Sequence, residues 1–295
     1  MSEKERAVVT LQDATKLIQQ ASFALRTTRQ ATYQAQVNLH RFYETHSSEE
    51  YPLIYMCMAS LFTSLKLCDS ERRNNEVLAS FDRALKVDQD VDRADLPELN
   101  SSRMSVWRRE LRASEAALLR ALGFDLFVIH PASYLEPYLD ALDLPLVLAQ
   151  SAFAFLSDVG HSPACIRYHP VILCLAAITA AAHAHAFNLP LPLLAGVDDN
   201  VPIYNWPEEL LPTGPVHTED SDKINDTTEP YYRQKRIAQA AQSLLSLHEL
   251  GNLAKDSANL TTRESKRWEL THEHDITKLV FTNITKADEL YNKVE

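Results

Sequence analysis

Hydrophobic positions recur along this chain at three- and four-residue steps, the spacing of one face of a helix. Leu11, Ala14, Ile18, Ala21 and Leu25 form such a stripe and predict a helix over residues 8–26. A second is predicted over 29–45, closing on VNLHRFYETH. A third, over 51–67, opens with Pro52, whose missing N–H would have no partner at a helix start, and meets no charge until Lys66. Residues 72–87 predict a fourth. The fifth carries Trp107, Leu111, Leu118, Leu119 and Leu122 on one stripe and stops at Gly123, a residue suited to the left-handed turn that ends a helix. Glu115 lies four residues after Leu111 and four before Leu119, so it shares that stripe. A carboxylate on an apolar face is costly unless something satisfies it, which predicts a surface built to hold a partner.

After Pro131 the stretch SYLEPYLDAL reads as a short connecting helix, with Pro137 bending or delaying it. The pattern then restarts. Residues 146–159 predict a helix, and residues 168–183 can be laid over 51–66 without a gap. Cys57 meets Cys174, Ala59 meets Ala176, Leu61 meets Ile178, and Lys66 meets His183. Two compact helical units related by a weak repeat of roughly 100 residues follow from this overlay. The acidic, proline-containing stretch DQDVDRADLPELNSS reads as a loop, and residues 195–228 as a long irregular insertion. Helices are predicted again over 231–250 and 275–294, the last made amphipathic by Ile276, Leu279, Val280, Ile284, Ala287 and Tyr291.

Composition narrows the class. Only 5 glycines, and no Val/Ile/Thr-rich alternating run between turn signals, argue for an all-α chain. A hydrophobic fraction of 45% over 295 residues is enough for a sizeable core and more than one domain. The net charge of −11 argues against direct nucleic-acid binding, which needs clustered lysine and arginine. No apolar run is long enough to predict a membrane span; the longest, Val171 to Ala182, ends at His183. The start, MSEKERAVVTLQDATK, lacks the apolar core of a secretory leader. Cys57, Cys68, Cys165 and Cys174 show no paired spacing and read as reduced thiols of an intracellular protein. No catalytic motif is present, neither GxSxG nor a phosphate-cradling glycine loop, so no enzyme activity and no cofactor are expected.

The order QAQVNLHRFYETHSSEEYPLIYMCMASLFTSLKLCDSERRNNEV, then ELRASEAALLRALGFDLFVIHP, resembles the first cyclin box, and YHPVILCLAAITAAAHAHAFNLPLP resembles the start of the second. Within the cyclin family the likeness is to the transcription-type members, nearest to the L type and then to K, T and C. Cys68 and Asp69 stand where many relatives have two glutamates, and Thr28 where a proline is common. The resemblance implies two tandem five-helix cyclin-box bundles with N- and C-terminal helical extensions. Its boundaries would be an extension over 1–19, a first box over 20–128, a linker helix over 129–143, a second box over 144–250 and an extension over 251–295.

It also implies a non-catalytic, nuclear subunit that activates a cyclin-dependent protein kinase in transcription or RNA processing, alongside further transcription or splicing factors. Lys66 and Glu115 match the cyclin lysine and glutamate that reach backbone groups beside the kinase's C-helix. Leu67, Leu119, Phe124 and Leu126 match apolar positions pressed against the kinase, with Phe124 and Leu126 expected at an exposed rim. A plain intramolecular Lys66–Glu115 ion pair is compatible with the same residues. Two alternatives stand beside this reading: a cyclin-fold general transcription factor on promoter DNA, and a helical metalloenzyme using His161, His169, His183 and His185. The second lacks any ligand spacing such as HExxH, so no metal is expected. Arg233, Lys235 and Arg236 form a small basic patch that could receive a phosphorylated loop.

Overall fold

The structure, a computed structural model, describes residues 10–68, 70, 72–87, 101–193, 203–207, 211 and 234–247. The expected amphipathic helix over 275–294, the C-terminal extension and the acidic stretch 88–100 lie outside the described residues. Both helical bundles belong to one compact unit, Met1–Leu245.

Helix α1, Leu11–Leu25, starts at a reciprocal cap. The Thr10 hydroxyl accepts the Asp13 N–H at 3.1 Å, and the Asp13 carboxylate accepts the Thr10 N–H at 3.1 Å. Helix α2, Arg29–Tyr43, is capped by Thr28, whose hydroxyl accepts the Ala31 N–H at 3.2 Å. A threonine does at this position what the proline of many cyclins could not, since proline has no side-chain acceptor. Helix α3, Leu53–Leu67, follows Pro52 and is buried almost all round, as its lack of charge before Lys66 predicts. Helices α4, Asn74–Val87, and α5, Ser101–Ala121, complete a five-helix bundle with α3 at its centre. Its core includes Ile18, Phe42, Met56, Leu61, Phe81, Trp107 and Leu111. Gly123 and Phe124 then turn the chain with φ of +58° and +63°.

The second bundle begins at a 3-10 turn, Pro131–Tyr134, that runs into α6, Leu135–Ala141. Leu135 and Tyr138 of this expected connector are buried in the second core. Helix α7, Leu146–Asp158, a turn at Val159–His161, α8, Ala164–Arg167, and α9, Pro170–Ala184, follow. The last helix among the described residues, α10, covers residues 234–247. The repeat is in register. Helix α7 starts 117 residues after α2 (146 against 29), and α9 starts 117 after α3 (170 against 53). The central helices α3 and α9 each run 15 residues. Part of the stretch read as an insertion is core: Tyr204, Trp206 and Leu211 are buried with α9 and α10. Gln234 fixes that segment by accepting the Trp206 N–H at 3.1 Å and donating to the Trp206 carbonyl at 2.9 Å.

Helix α2 belongs to both bundles, with Tyr33 and Val37 in the second core and Leu39 and Phe42 in the first. A buried polar seam runs beside them. His40 Nε2 lies 3.1 Å from the Gly160 carbonyl, and His161 is held by Thr15 Oγ1 at 3.1 Å and Gln19 Oε1 at 2.9 Å. A side chain at 160 would place its Cβ 2.0 Å from Gln36 Oε1, so any larger residue would push aside the Gln36 amide, which donates to the Thr15 carbonyl at 3.2 Å. Among the described residues no helix is long and apolar enough to cross a membrane.

Candidate partner-binding face

Lys66 sits in the last turn of α3 and Glu115 two-thirds of the way along α5. These helices pack side by side, so the two side chains meet: Lys66 Nζ donates to Glu115 Oε1 at 2.6 Å. Thr63, one turn before Lys66, donates to the same oxygen at 3.4 Å. The lysine ammonium also stands 4.1 Å from the centre of the Phe62 ring. The lysine side chain remains 40% exposed and the glutamate 16%, so the pair closes the seam between two helices while staying open to one side. The carboxylate on the apolar stripe of α5 is thus satisfied from within the chain.

The apolar residues singled out by sequence fall in three situations. Leu67 is half exposed beside Lys66, and Leu119, one turn beyond Glu115, is half-buried. Phe124 is 70% exposed. Leu126, expected at a rim with Phe124, is instead only 6% exposed. The reason lies in the backbone of residues 124–128, which α2 holds at its carbonyls. Gln34 Nε2 donates to the Leu126 carbonyl at 3.0 Å, Arg41 Nη1 to the Asp125 carbonyl at 2.7 Å, and Gln30 Nε2 to the Val128 carbonyl. Arg41 also pairs with the Asp125 carboxylate at 2.9 Å. Held this way, the loop turns Leu126 inward and leaves Phe127 77% exposed. Sequence reasoning passed over Phe127, although extended residues two apart share a side and Leu126 next to it takes the inner one.

The histidines do not converge. His161 is sealed in the polar seam, His169 caps α9 by accepting the Val171 N–H at its Nδ1, and His185 meets Ser151 at 2.7 Å. Burial holds His161 down to about 4, with Lys16 and His40 adding to the effect, so its ring is neutral at pH 7. Among the described residues no group of histidine, cysteine and acidic side chains could hold a metal. Burial also pushes the Cys165 thiol up to about 12 and those of Cys57 and Cys174 higher still, which suits packing groups and not nucleophiles. Of the basic patch, Arg233 lies outside the described residues, while Arg236 donates to the Arg167 carbonyl at 3.1 Å.

No protein-family model matches the chain. Among curated proteins it is 28% identical over 174 residues to cyclin-L1-1 of Oryza sativa subsp. japonica, covering 59% of this chain and 40% of that protein. It is 26% identical over 175 residues to cyclin-T of Drosophila melanogaster, covering 59% of this chain and 15% of that one. The chain therefore spans less than half the length of these relatives. A chain from the structure of the CAK complex from Chaetomium thermophilum bound to ATP-γ-S superposes with a TM-score of 0.52, over 88% of this chain and 69% of that one, at 19% identity. At that identity the superposition establishes the fold, paired cyclin-type bundles. By sequence the chain is similar to cyclins of the L and T types.

Proposed function

We propose that this protein is a regulatory subunit that binds and activates a cyclin-dependent protein kinase, acting in the nucleus in transcription or RNA processing and performing no chemistry itself. In this reading the first box spans 20–128 and presents the docking face, and the second spans 144–250. The observation that carries it is the Lys66–Glu115 pair at the open edge of the first bundle, with Leu67 next to the lysine, Leu119 one turn beyond the glutamate and an exposed Phe124 just past the end of α5. A pair open to water on its lysine side adds little to fold stability, on the order of 1 kcal/mol. Its value lies in what it offers outward. Lysine has three N–H donors and Glu115 uses one of them, while a carboxylate has acceptor capacity beyond its two contacts here. Such a pair can bond the main-chain carbonyl and N–H groups at the end of a partner's helix, fixing orientation on an otherwise apolar surface.

Mechanistically, the face holds the kinase's C-helix inward, so that the kinase's own Lys–Glu ion pair forms and its activation loop opens. A shift from mostly inactive to mostly active needs about 5 kcal/mol of differential binding. A few apolar anchors with two charge-assisted hydrogen bonds are of that size. The net charge of −11 favours this over promoter binding, which requires basic faces. The test is affinity purification of the full chain, identification of the bound proteins by mass spectrometry, and reconstitution with the recombinant kinase recovered. A kinase whose phosphorylation of a polymerase-tail peptide rises by at least about tenfold on adding the chain is the expected result. Recovery of no cyclin-dependent kinase, or of one whose activity does not change, would overturn the reading.

A further inference from the structure

We infer that Phe127 extends the kinase-docking face and that Gln34 is the positioning residue that sets the distance between its two halves, the Lys66–Leu67 end of α3 and the aromatic ledge at Phe124 and Phe127. This rests on the kinase-binding reading. Phe127 and Phe124 are the two most exposed large apolar side chains among the described residues, at 77% and 70%, and they stand on one short segment. Two exposed aromatic rings on one short, braced segment mark a surface meant to be covered. The segment is not loose. Gln30, Gln34 and Arg41 occupy one face of α2, and each donates to a backbone carbonyl of residues 125–128. Because these bonds go to main chain, they fix the path of the loop and leave both rings free to meet a partner.

Gln34 does more than hold the loop. It is 2% exposed, and both ends of its amide are engaged. Its Nε2 donates to the Leu126 carbonyl at 3.0 Å, and its Oε1 accepts the Cys68 thiol at 3.6 Å. Cys68 is the residue on which α3 ends, directly after Lys66 and Leu67. One buried side chain therefore ties the end of the helix that carries the lysine to the loop that carries the rings. A partner whose helix end meets Lys66 and Glu115 would find an apolar ledge already at a fixed spacing, and rigid presentation lowers the ordering cost of binding. The occupant is the apolar flank of the same kinase helix, since Gln34 holds the segment that carries the rings against the end of α3 that carries Lys66 and Leu67.

The experiment uses the full chain and the recombinant kinase recovered with it and activated by it. Phe127→Ala leaves the fold unchanged and weakens kinase binding by about tenfold, mainly through faster dissociation. Gln34→Leu keeps the volume and removes both amide bonds; backbone hydrogen exchange over residues 124–128 speeds up, and binding weakens by about tenfold. If Gln34 acts through the ledge, the same change made on top of Phe127→Ala weakens binding less than about twofold further. Wild-type binding by Phe127→Ala would overturn the docking role. An equal Gln34→Leu penalty in both backgrounds, or unchanged exchange in the loop, would overturn the positioning role. Should Gln34→Leu not fold, Arg41→Ala releases the same loop from its exposed side, and unchanged exchange there has the same meaning. If no kinase binds the wild-type chain while the exchange results hold, it is the kinase reading that fails, and the docking role with it, whereas the bracing of the loop stands.

Discussion

The two bundles share a backbone plan and differ in what they show to the outside. Helices α2 and α3 return 117 residues later as α7 and α9, with the central helix buried all round in both. At the end of that helix the first bundle places Lys66 beside Glu115, and the second places an exposed His183. Gln34, which accepts the Cys68 thiol at the end of α3, is matched at the same offset by Ser151, which meets His185 at the end of α9. A contact between the paired helix and the end of the central helix is thus kept in both copies. The charged pair and the aromatic ledge are features of the first. Repetition of core positions preserves the fold, while the edge residues, free of packing constraints, diverge toward binding.

The largest effects should strike the shared part. Leu61 and Ile178 are both fully buried at equivalent positions of the central helices. Replacing either with alanine should cost about 2–5 kcal/mol, read from urea unfolding followed by circular dichroism. Because α2 packs into both cores, each variant should unfold in one transition. Two separate transitions, or a loss below about 1 kcal/mol in one copy, would show that the bundles are not equivalent structural units.

The unshared part gives the next effect. Lys66→Ala together with Glu115→Ala should leave helical content intact and weaken kinase binding by tens- to hundreds-fold, about 2–3 kcal/mol. His183→Ala, the matching change in the second bundle, should leave binding as it is. Surface plasmon resonance on the reconstituted pair measures both. Equal losses from the two would mean that the kinase engages both copies, and undiminished binding by the double variant would remove Lys66 and Glu115 from the site.

Much of this contrast can be read along the chain. The gapless overlay of 51–66 on 168–183 has the register that the helices adopt, because a fully buried helix leaves a long, charge-free run that little else produces. Gly123 and the capping residues mark ends because their chemistry is local. Glu115 stands out for the same reason: one charge in an apolar stripe is visible without coordinates. What escapes is whatever depends on distant backbone. The inward turn of Leu126 and the exposure of Phe127 are set by Gln30, Gln34 and Arg41, some 84 to 98 residues earlier, and no periodicity links them. The burial of Tyr204 and Trp206 in a stretch of prolines and acids escapes similarly, since Gln234 satisfies the Trp206 backbone from a later helix.

The smallest effect tests whether the two copies fold as one. His161 comes from the second bundle, but its ring lies among Thr15 and Gln19 of α1 and Gln36 of α2. The neutral ring with its proton on Nε2 donates to Gln19 Oε1 and leaves Nδ1 to accept from Gln36 Nε2 at 3.4 Å. Burial disfavours a charged ring here first of all, and the Lys16 ammonium and His40 nearby add to the effect, so protonation opposes the seam. The folded value of about 4 lies below the ordinary 6.5, so between those values the unfolded chain binds more protons than the folded one. Stability is therefore full above about pH 6.5 and falls as pH drops toward 4. From pH 7 to pH 5 the loss from this one group should be about 2 kcal/mol, seen as a lower Tm. The variant His161→Gln, which cannot titrate, should lose that portion of the acid sensitivity while starting from a lower stability at pH 7. If its Tm fell with acid as steeply as that of the wild type, His161 would not be the group through which acid loosens the join between the copies.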